Sequence, residues 1–186
     1  MKPRIISGSA KGQKLEVPLK GCRPMMDRVK SAVFSMINSL IKDRDILDLY
    51  SGTGALGIEC LSRGAKSVTF IDRSKYAVAS IKNNLEKTGF SSLAQVFKCS
   101  SKRFLDEFRN FNLKVYAFDI IFFTPPYKHF KEKVLALAYK VMKKNSIVIA
   151  EHSTDRKIND IVGNLKKIDE RNYGKTAISF YRIDKS

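Results

Sequence analysis

"DLYSGTGALG", residues 48–57, decides the fold. An apolar strand-like run, "DILDLY" (45–50), enters it, and a helix-compatible run, "GALGIECLSR" (54–63), leaves it and ends at Gly64. Gly52, Gly54 and Gly57 satisfy G-x-G-x-x-G, the pattern of a strand turning tightly into a helix beside a nucleoside-type ligand. Asp72 follows Gly52 by 20 residues, at the end of the next apolar run, "SVTFID" (67–72).

The same alternation continues along the chain. "SKYAVASIKNNLEKT" (74–88), closed by Gly89, reads as a helix and "LAQVFK" (93–98) as a strand. "SKRFLDEFR" (101–109) reads as a short helix, "FDIIFF" (118–123) as a strand, "FKEKVLALAYKVMK" (130–143) as a helix and "SIVIAE" (146–151) as a strand. Strands separated by helices of this length predict an α/β fold, doubly wound, with a mostly parallel sheet covered on both faces. The tail lacks a helical stripe and carries Tyr173–Gly174 between two β-prone runs, which predicts an antiparallel hairpin on the sheet edge. Before the first helix, which Asp27 is expected to cap, residues 1–26 read as a small basic β extension with short strands at "RIIS" and "KLEV". Residues 27–186 then form the main domain.

Thirty-five basic and 18 acidic residues leave a net charge of +17, which favours a polyanionic partner over a membrane, since no amphipathic anchor or lipidation signal is present. Cys22, Cys60 and Cys99 are odd in number and widely spaced, and with His129 and His152 they match no metal spacing. A cytoplasmic, monomeric protein without a metal is expected.

Charge also sorts the ligands that a glycine turn can hold. A pyrophosphate wants bare amides, so Asp48, four residues before Gly52, would repel it. The same carboxylate would attract the sulfonium and ammonium of S-adenosyl-L-methionine. Ser51, Gly52, Thr53 and Gly54 would line that cofactor, and Asp72 would accept from its ribose hydroxyls. Asp48 could instead cap amides of the turn, or do both. Ser100, after the third strand, has two roles open to it: contact with the adenine edge, or an N-cap.

"FFTPPY" (122–127) ends the fourth strand over the same crevice. Pro125 and Pro126 stiffen the corner, so that a carbonyl and the Thr124 oxygen can face one point, and Tyr127 offers a flat face to a base. Methylation of an exocyclic amine needs such acceptors, because they align the nitrogen lone pair and stabilise its developing positive charge.

Residues 48–57 with 124–127 resemble the class I, Rossmann-like amino-methyltransferases that carry a [DN]-P-P-[YF] motif. Four further stretches are similar to the RsmD-type 16S ribosomal RNA guanine-N2 methyltransferase family: "RIISGSAKGQKL" (4–15), "RPMMDRVKSAVFSMI" (23–37), "GALGIECLSRGA" (54–65) and "YGKTAISFYR" (173–182). The resemblance is collinear over nearly the whole chain. It implies S-adenosyl-L-methionine-dependent methylation of a guanine 2-amino group in 16S rRNA, within an assembled small ribosomal subunit. It also implies that Arg23, Asp27 and Arg28 face the site and that Thr124 to Tyr127 hold the base. The family has Asp where this chain has Thr124, and threonines at Met25 and Met26. A neutral hydroxyl bonds more weakly than a carboxylate, which opens a second reading: a weakened or inactive RNA-binding assembly factor of the same fold.

Phosphate contacts are expected from Arg4, Lys11, Lys14, Lys20, Arg23, Arg28 and Lys30, and from Lys128, Lys131 and Lys133 after the corner. A DNA adenine or cytosine methyltransferase is disfavoured by the absence of a sizeable recognition domain. Asp48, the proline corner and the charge disfavour an NAD-dependent oxidoreductase.

Overall fold

The computed structural model describes residues 2–18, 25–115 and 117–184. Helix α1 (Asp27–Ile37) is followed by strand β1 (Asp45–Leu49), helix α2 (Ala55–Ser62), strand β2 (Ser67–Asp72), helix α3 (Lys75–Thr88) and strand β3 (Ala94–Lys98). Helix α4 (Ser101–Glu107), strand β4 (Phe118–Phe123), the single-turn helix α5 (Glu132–Leu135) and strand β5 (Met142–Ser153) come next. Strands β6 (Ile161–Val162), β7 (Leu165–Tyr173) and β8 (Thr176–Ile183) complete the fold.

Among the described residues, eight strands form one sheet in the order β3-β2-β1-β4-β5-β8-β7-β6. β1 to β5 pair in parallel, whereas β8 pairs antiparallel with both β5 and β7. The chain steps outward from β1 to β3 and then returns to the other side of β1 with β4. That reversal opens a crevice beyond the carboxyl ends of β1 and β4, where sheets of this kind bind ligands.

Alternation along the central strands builds two cores. Ile46, Ile120, Phe122 and Ile149 face α1, α2 and α3. Leu47, Leu49, Ile121, Phe123 and Ala150 face α4 and α5. The parallel sheet, both covered faces and the edge hairpin are as the sequence predicts.

Three local expectations differ. Asp27 is the first residue of α1, and Met26 precedes it with no side-chain cap bond. The predicted helix over 130–143 is one α-turn and a 3₁₀ stretch, Ala136–Val141, after which β5 already begins. Lys143 donates to Asp45 and Asp119, at 2.8 and 2.7 Å, while Met142 pairs with Phe118 in the ladder. Helix propensity offers at most about 0.7 kcal/mol per residue here, which a ladder pair and a doubly bonded ammonium outweigh.

The expected short strands at 4–7 and 14–17 reduce to one bridge, Arg4 with Lys14. The two segments still bond to each other, Ile5 N–H to the Gln13 carbonyl at 2.9 Å and Leu15 N–H to the Pro3 carbonyl at 2.8 Å, and helices take further amides. Ile6 and Ser7 donate to the buried Glu59 carboxylate on α2, Ala10 donates to Ser62 Oγ, and Glu16 donates to Asn84 Oδ1 on α3. Ile5, Ala10 and Leu15 sit in the core beneath them.

Candidate active site

Three residues meet at the crevice because the ladders bring them there. Leu49 pairs with Phe123, and Phe123 pairs with Ala150. The residues following in register are Tyr50 and Thr124, just past the ends of β1 and β4, and Glu151, within β5. All three line one cavity of about 60 Å³. The glycine turn supplies Ser51, Gly52 and Thr53 to the same wall, and Pro3, Met25 and Lys30 close it from the N-terminal segment and α1.

The turn is held from inside. Ser51 Oγ donates to the Asp48 carbonyl at 2.6 Å and accepts the Ile71 N–H at 2.9 Å, locking β1 to β2. Asn84 clamps the Thr53 carbonyl at 2.9 Å. Tyr50 takes a left-handed φ of 63°, a strained conformation for a ring-bearing residue, and its ring meets Phe123 edge-on at 5.4 Å. Gly54 occupies the left-handed region at φ 76°.

Asp48 lies buried under the turn, with Oδ2 accepting the Gly57 N–H at 3.2 Å and Oδ1 lacking a hydrogen-bond partner among the described residues. Burial, and to a lesser degree the nearby Asp72 charge, push its carboxyl up to about 7 against the one amide bond that favours ionisation. A cation or ammonium would satisfy that orphaned oxygen. Asp72 accepts the N–H of Gly52 and that of Ser74, each at 2.9 Å, and each carboxylate oxygen keeps lone-pair capacity for a further hydroxyl. Two carboxylates beside one turn suit a cationic cofactor and repel a pyrophosphate. The donor set therefore fits S-adenosylmethionine.

Ser100 caps α4, accepting from Arg103 N–H at 3.2 Å. Thr124 donates to the Leu49 carbonyl at 3.4 Å, so its own lone pairs remain able to accept. The Tyr127 hydroxyl lies 2.7 Å from Thr176 Oγ1 and donates to Glu151 at 3.2 Å. Asp48, Gly54, Asp72, Ser100, Pro125, Pro126 and Tyr127 are not among the residues that line this cavity.

Arg4 and Lys11 line a second cavity, of about 250 Å³, with Asp27 and Ser31. Lys14, Arg28 and Lys128 are exposed, and the Arg28 guanidinium lies against Gly174 of the edge hairpin. Arg23 and Lys20 lie outside the described residues. Lys30 corrects the expectation of a phosphate contact: it is 1% exposed, donates to the Arg4 carbonyl and pairs with Glu59 at 3.7 Å. Burial holds its ammonium below the usual lysine range. Sequence reading missed Tyr50, Lys30 and Glu151 as parts of the cavity. Glu151 carried a usable signal, because it closes the apolar run of the fifth strand as Thr124 closes the fourth.

The family model described as "Conserved hypothetical protein 95" matches residues 3–182. A Bacillus subtilis protein provisionally named an rRNA methyltransferase is 34% identical over 96% of this chain and 98% of its own. The ribosomal RNA small subunit methyltransferase D of Haemophilus influenzae is 36% identical, over 82% and 80% of the two chains. A solved Escherichia coli structure, provisionally described as a methyltransferase, superposes with a TM-score of 0.84 at 27% identity over the full length of both. Nearly every residue of this fold, the cavity included, thus falls within a single family, and the chain belongs to it: the Conserved hypothetical protein 95 family of RsmD-type methyltransferases.

Proposed function

We propose that this chain is an S-adenosylmethionine-dependent methyltransferase acting on the exocyclic N2 amine of a guanine in 16S rRNA, as a cytoplasmic monomer working on the assembled small subunit. The observation that carries this reading is the shared cavity, in which the glycine turn and Thr124 form one wall. The names of the relatives, ribosomal RNA methyltransferases, support RNA as the substrate.

When bound, S-adenosylmethionine supplies an electrophilic methyl group on a cationic sulfur. The chain's own residues do the rest. Asp48 and Asp72 hold the ammonium and ribose ends of the cofactor. Pro125 and Pro126 keep the corner rigid, so Thr124 accepts one amine hydrogen without reorganisation. Tyr127 packs against the guanine ring.

The second reading, a factor that binds rRNA with little or no transfer, rests on Thr124. A hydroxyl acceptor is worth about 0.5–1.5 kcal/mol, against about 1.5–3 for a charged one. A deficit of about 1–1.5 kcal/mol slows the step about tenfold, which weakens catalysis without abolishing it.

The test is incubation with methyl-labelled S-adenosylmethionine and, separately, small ribosomal subunits, naked 16S rRNA and DNA, followed by nucleoside mapping. N2-methylguanosine from subunits or rRNA is expected. Label in DNA or on adenine would overturn the substrate assignment. Cofactor and rRNA binding without any label would favour the second reading.

A further inference from the structure

A second cavity, of about 250 Å³, is larger than the one that joins the glycine turn to Thr124. Arg4, Ile5, Ile6 and Lys11 of the N-terminal segment line it, together with Asp27 and Ser31 of α1. Ile5 is buried and Ile6 half-buried, so apolar surface lies among the polar groups. Asp27 and Ser31 are one turn apart on the same face of the helix. The resemblance leads one to expect Asp27 at the target's own cavity, but it lines this one instead.

The two cavities are built by neighbouring residues of the same segments. Pro3 lines the target cavity and Arg4 the second; Lys30 lines the target cavity and Ser31 the second. The Lys30 ammonium donates to the Arg4 carbonyl and so ties α1 to the N-terminal segment there. An RNA whose target base enters one cavity therefore brings a flanking nucleotide to the other. Charge sorts the occupant. Among the described residues, no hydrogen bond or ion pair engages the side chains of Arg4, Lys11 or Asp27. A bare phosphate would suit the two cations but would meet the carboxylate as well. A nucleotide answers both: its phosphate takes the cations, and its base offers a flat face to the isoleucines and an amine to the acceptor-only carboxylate. The cavity is a little smaller than the about 300–1,000 Å³ of a site for a drug-sized molecule, which suits a single base.

We infer that the second cavity is a subsite for a nucleotide flanking the methylated guanine, resting on the RNA methyltransferase reading above: Arg4 and Lys11 hold its phosphate, and Asp27 selects a base that carries an exocyclic amine. Cytosine, adenine and guanine each have one. Uracil presents a keto oxygen where cytosine has its amine, and its N3–H stands between two such oxygens, so a carboxylate is repelled there. The Ser31 hydroxyl donates or accepts, and adapts to the next atom of the base edge. The cations position the strand without reading it, whereas Asp27 gives the enzyme a sequence preference outside the target itself.

The test is fluorescence anisotropy, at one low salt concentration, with labelled single-stranded RNAs in which one guanosine lies between cytidines or between uridines. The two pyrimidines share a shape and differ at the amine. Wild type should bind the cytidine RNA about tenfold more tightly, the share of a charge-assisted hydrogen bond. Asp27→Asn should bring the two affinities within about twofold of each other. Ser31→Leu, which fills the cavity, should do the same, and both variants should keep the wild-type affinity for S-adenosylhomocysteine. Lys11→Ala should weaken both RNAs alike and leave their ratio in place. No cytidine preference in wild type, or a preference that survives Asp27→Asn in a folded protein, overturns the subsite. Should that variant unfold, survival of the preference in Ser31→Leu overturns it in the same way. A preference lost in Lys11→Ala but kept in Asp27→Asn also overturns it. Methyl transfer decides the parent reading separately: a preference erased at Asp27 in a protein that labels no RNA would sink the methyltransferase and leave Asp27 as the base-reading residue of an RNA-binding protein.

Discussion

Asp48 has one oxygen on the Gly57 amide and the other, among the described residues, without a partner in a fully buried place. Its carboxyl, pushed up to about 7 from 3.8, makes the ligand-free turn a proton-linked element. Because the folded carboxyl titrates above its unfolded value, the neutral form's stabilisation is complete below about pH 4 and is lost as pH rises through about 7. The difference amounts to about 4 kcal/mol at full ionisation. Asp48→Asn should remove that loss: the stability gap between variant and wild type, read from urea unfolding, should open between about pH 4 and about pH 8. The same carboxylate predicts the opposite trend for ligand. S-adenosylhomocysteine brings an ammonium, so its affinity for wild type should climb as pH rises through about 7 and then level off. Asp48→Asn should bind more weakly, with a flat profile. Parallel pH profiles for the two proteins, in stability and in affinity, would remove Asp48 from the cofactor pocket.

At the scale of elements, α2 lies close enough to β2 to require glycine at its third position. A Cβ on Gly57 would fall 2.3 Å from Phe70 Cε1 and 2.8 Å from Val68 Cγ1. Alanine raises helix propensity by about 1 kcal/mol, but overpacking of a filled core costs about 1–3 kcal/mol. Overlap with a ring locked in the core sits at the upper end, so Gly57→Ala should lose about 1–2 kcal/mol net in a denaturant titration. Phe70→Leu in the same chain should recover part of it, and an unshifted midpoint in Gly57→Ala would refute the packing argument. The turn at Gly52 and the left-handed C-cap at Gly89 were legible because each is a local backbone demand written in one residue. The edge hairpin was legible for the same reason, through Gly174 at φ 64°. The helix expected over 130–143 was not, since its stripe of apolar residues also fits one turn of helix running into a strand. What decided it was Lys143 meeting Asp45 and Asp119, partners 98 and 24 residues away. The N-terminal segment was legible as a small hairpin-like extension, but not in how it docks: carboxylate and amide side chains of Glu59 and Asn84 hold its outer amides. In the site, the turn and the corner announced themselves as motifs. Lys30 and Glu151 have no motif, and only the fold reveals that one is buried and the other lies beside Thr124.

The whole molecule carries +17, and its sheet has two unlike ends. The carboxyl ends of β1 and β4 open on the cavity, while Arg4 and Lys11 line the second cavity and Lys14, bridged to Arg4, is exposed. Lys42 and Lys66, just before β1 and β2, are exposed at the amino ends. If RNA binds by counterion release, only the lysines that meet phosphates contribute to its salt dependence, whereas the net charge is blind to where a lysine sits. Lys11→Ala with Lys14→Ala should therefore weaken rRNA binding and reduce the slope of log affinity against log salt by about 1.4, at about 0.7 per single-strand phosphate. Lys42→Ala with Lys66→Ala removes the same two charges, and it should leave that slope nearly unchanged. Fluorescence anisotropy between about 50 and about 200 mM salt separates the pairs. Equal slopes for the two double variants would mean that binding answers to overall charge alone, and the N-terminal segment would lose its claim to the RNA.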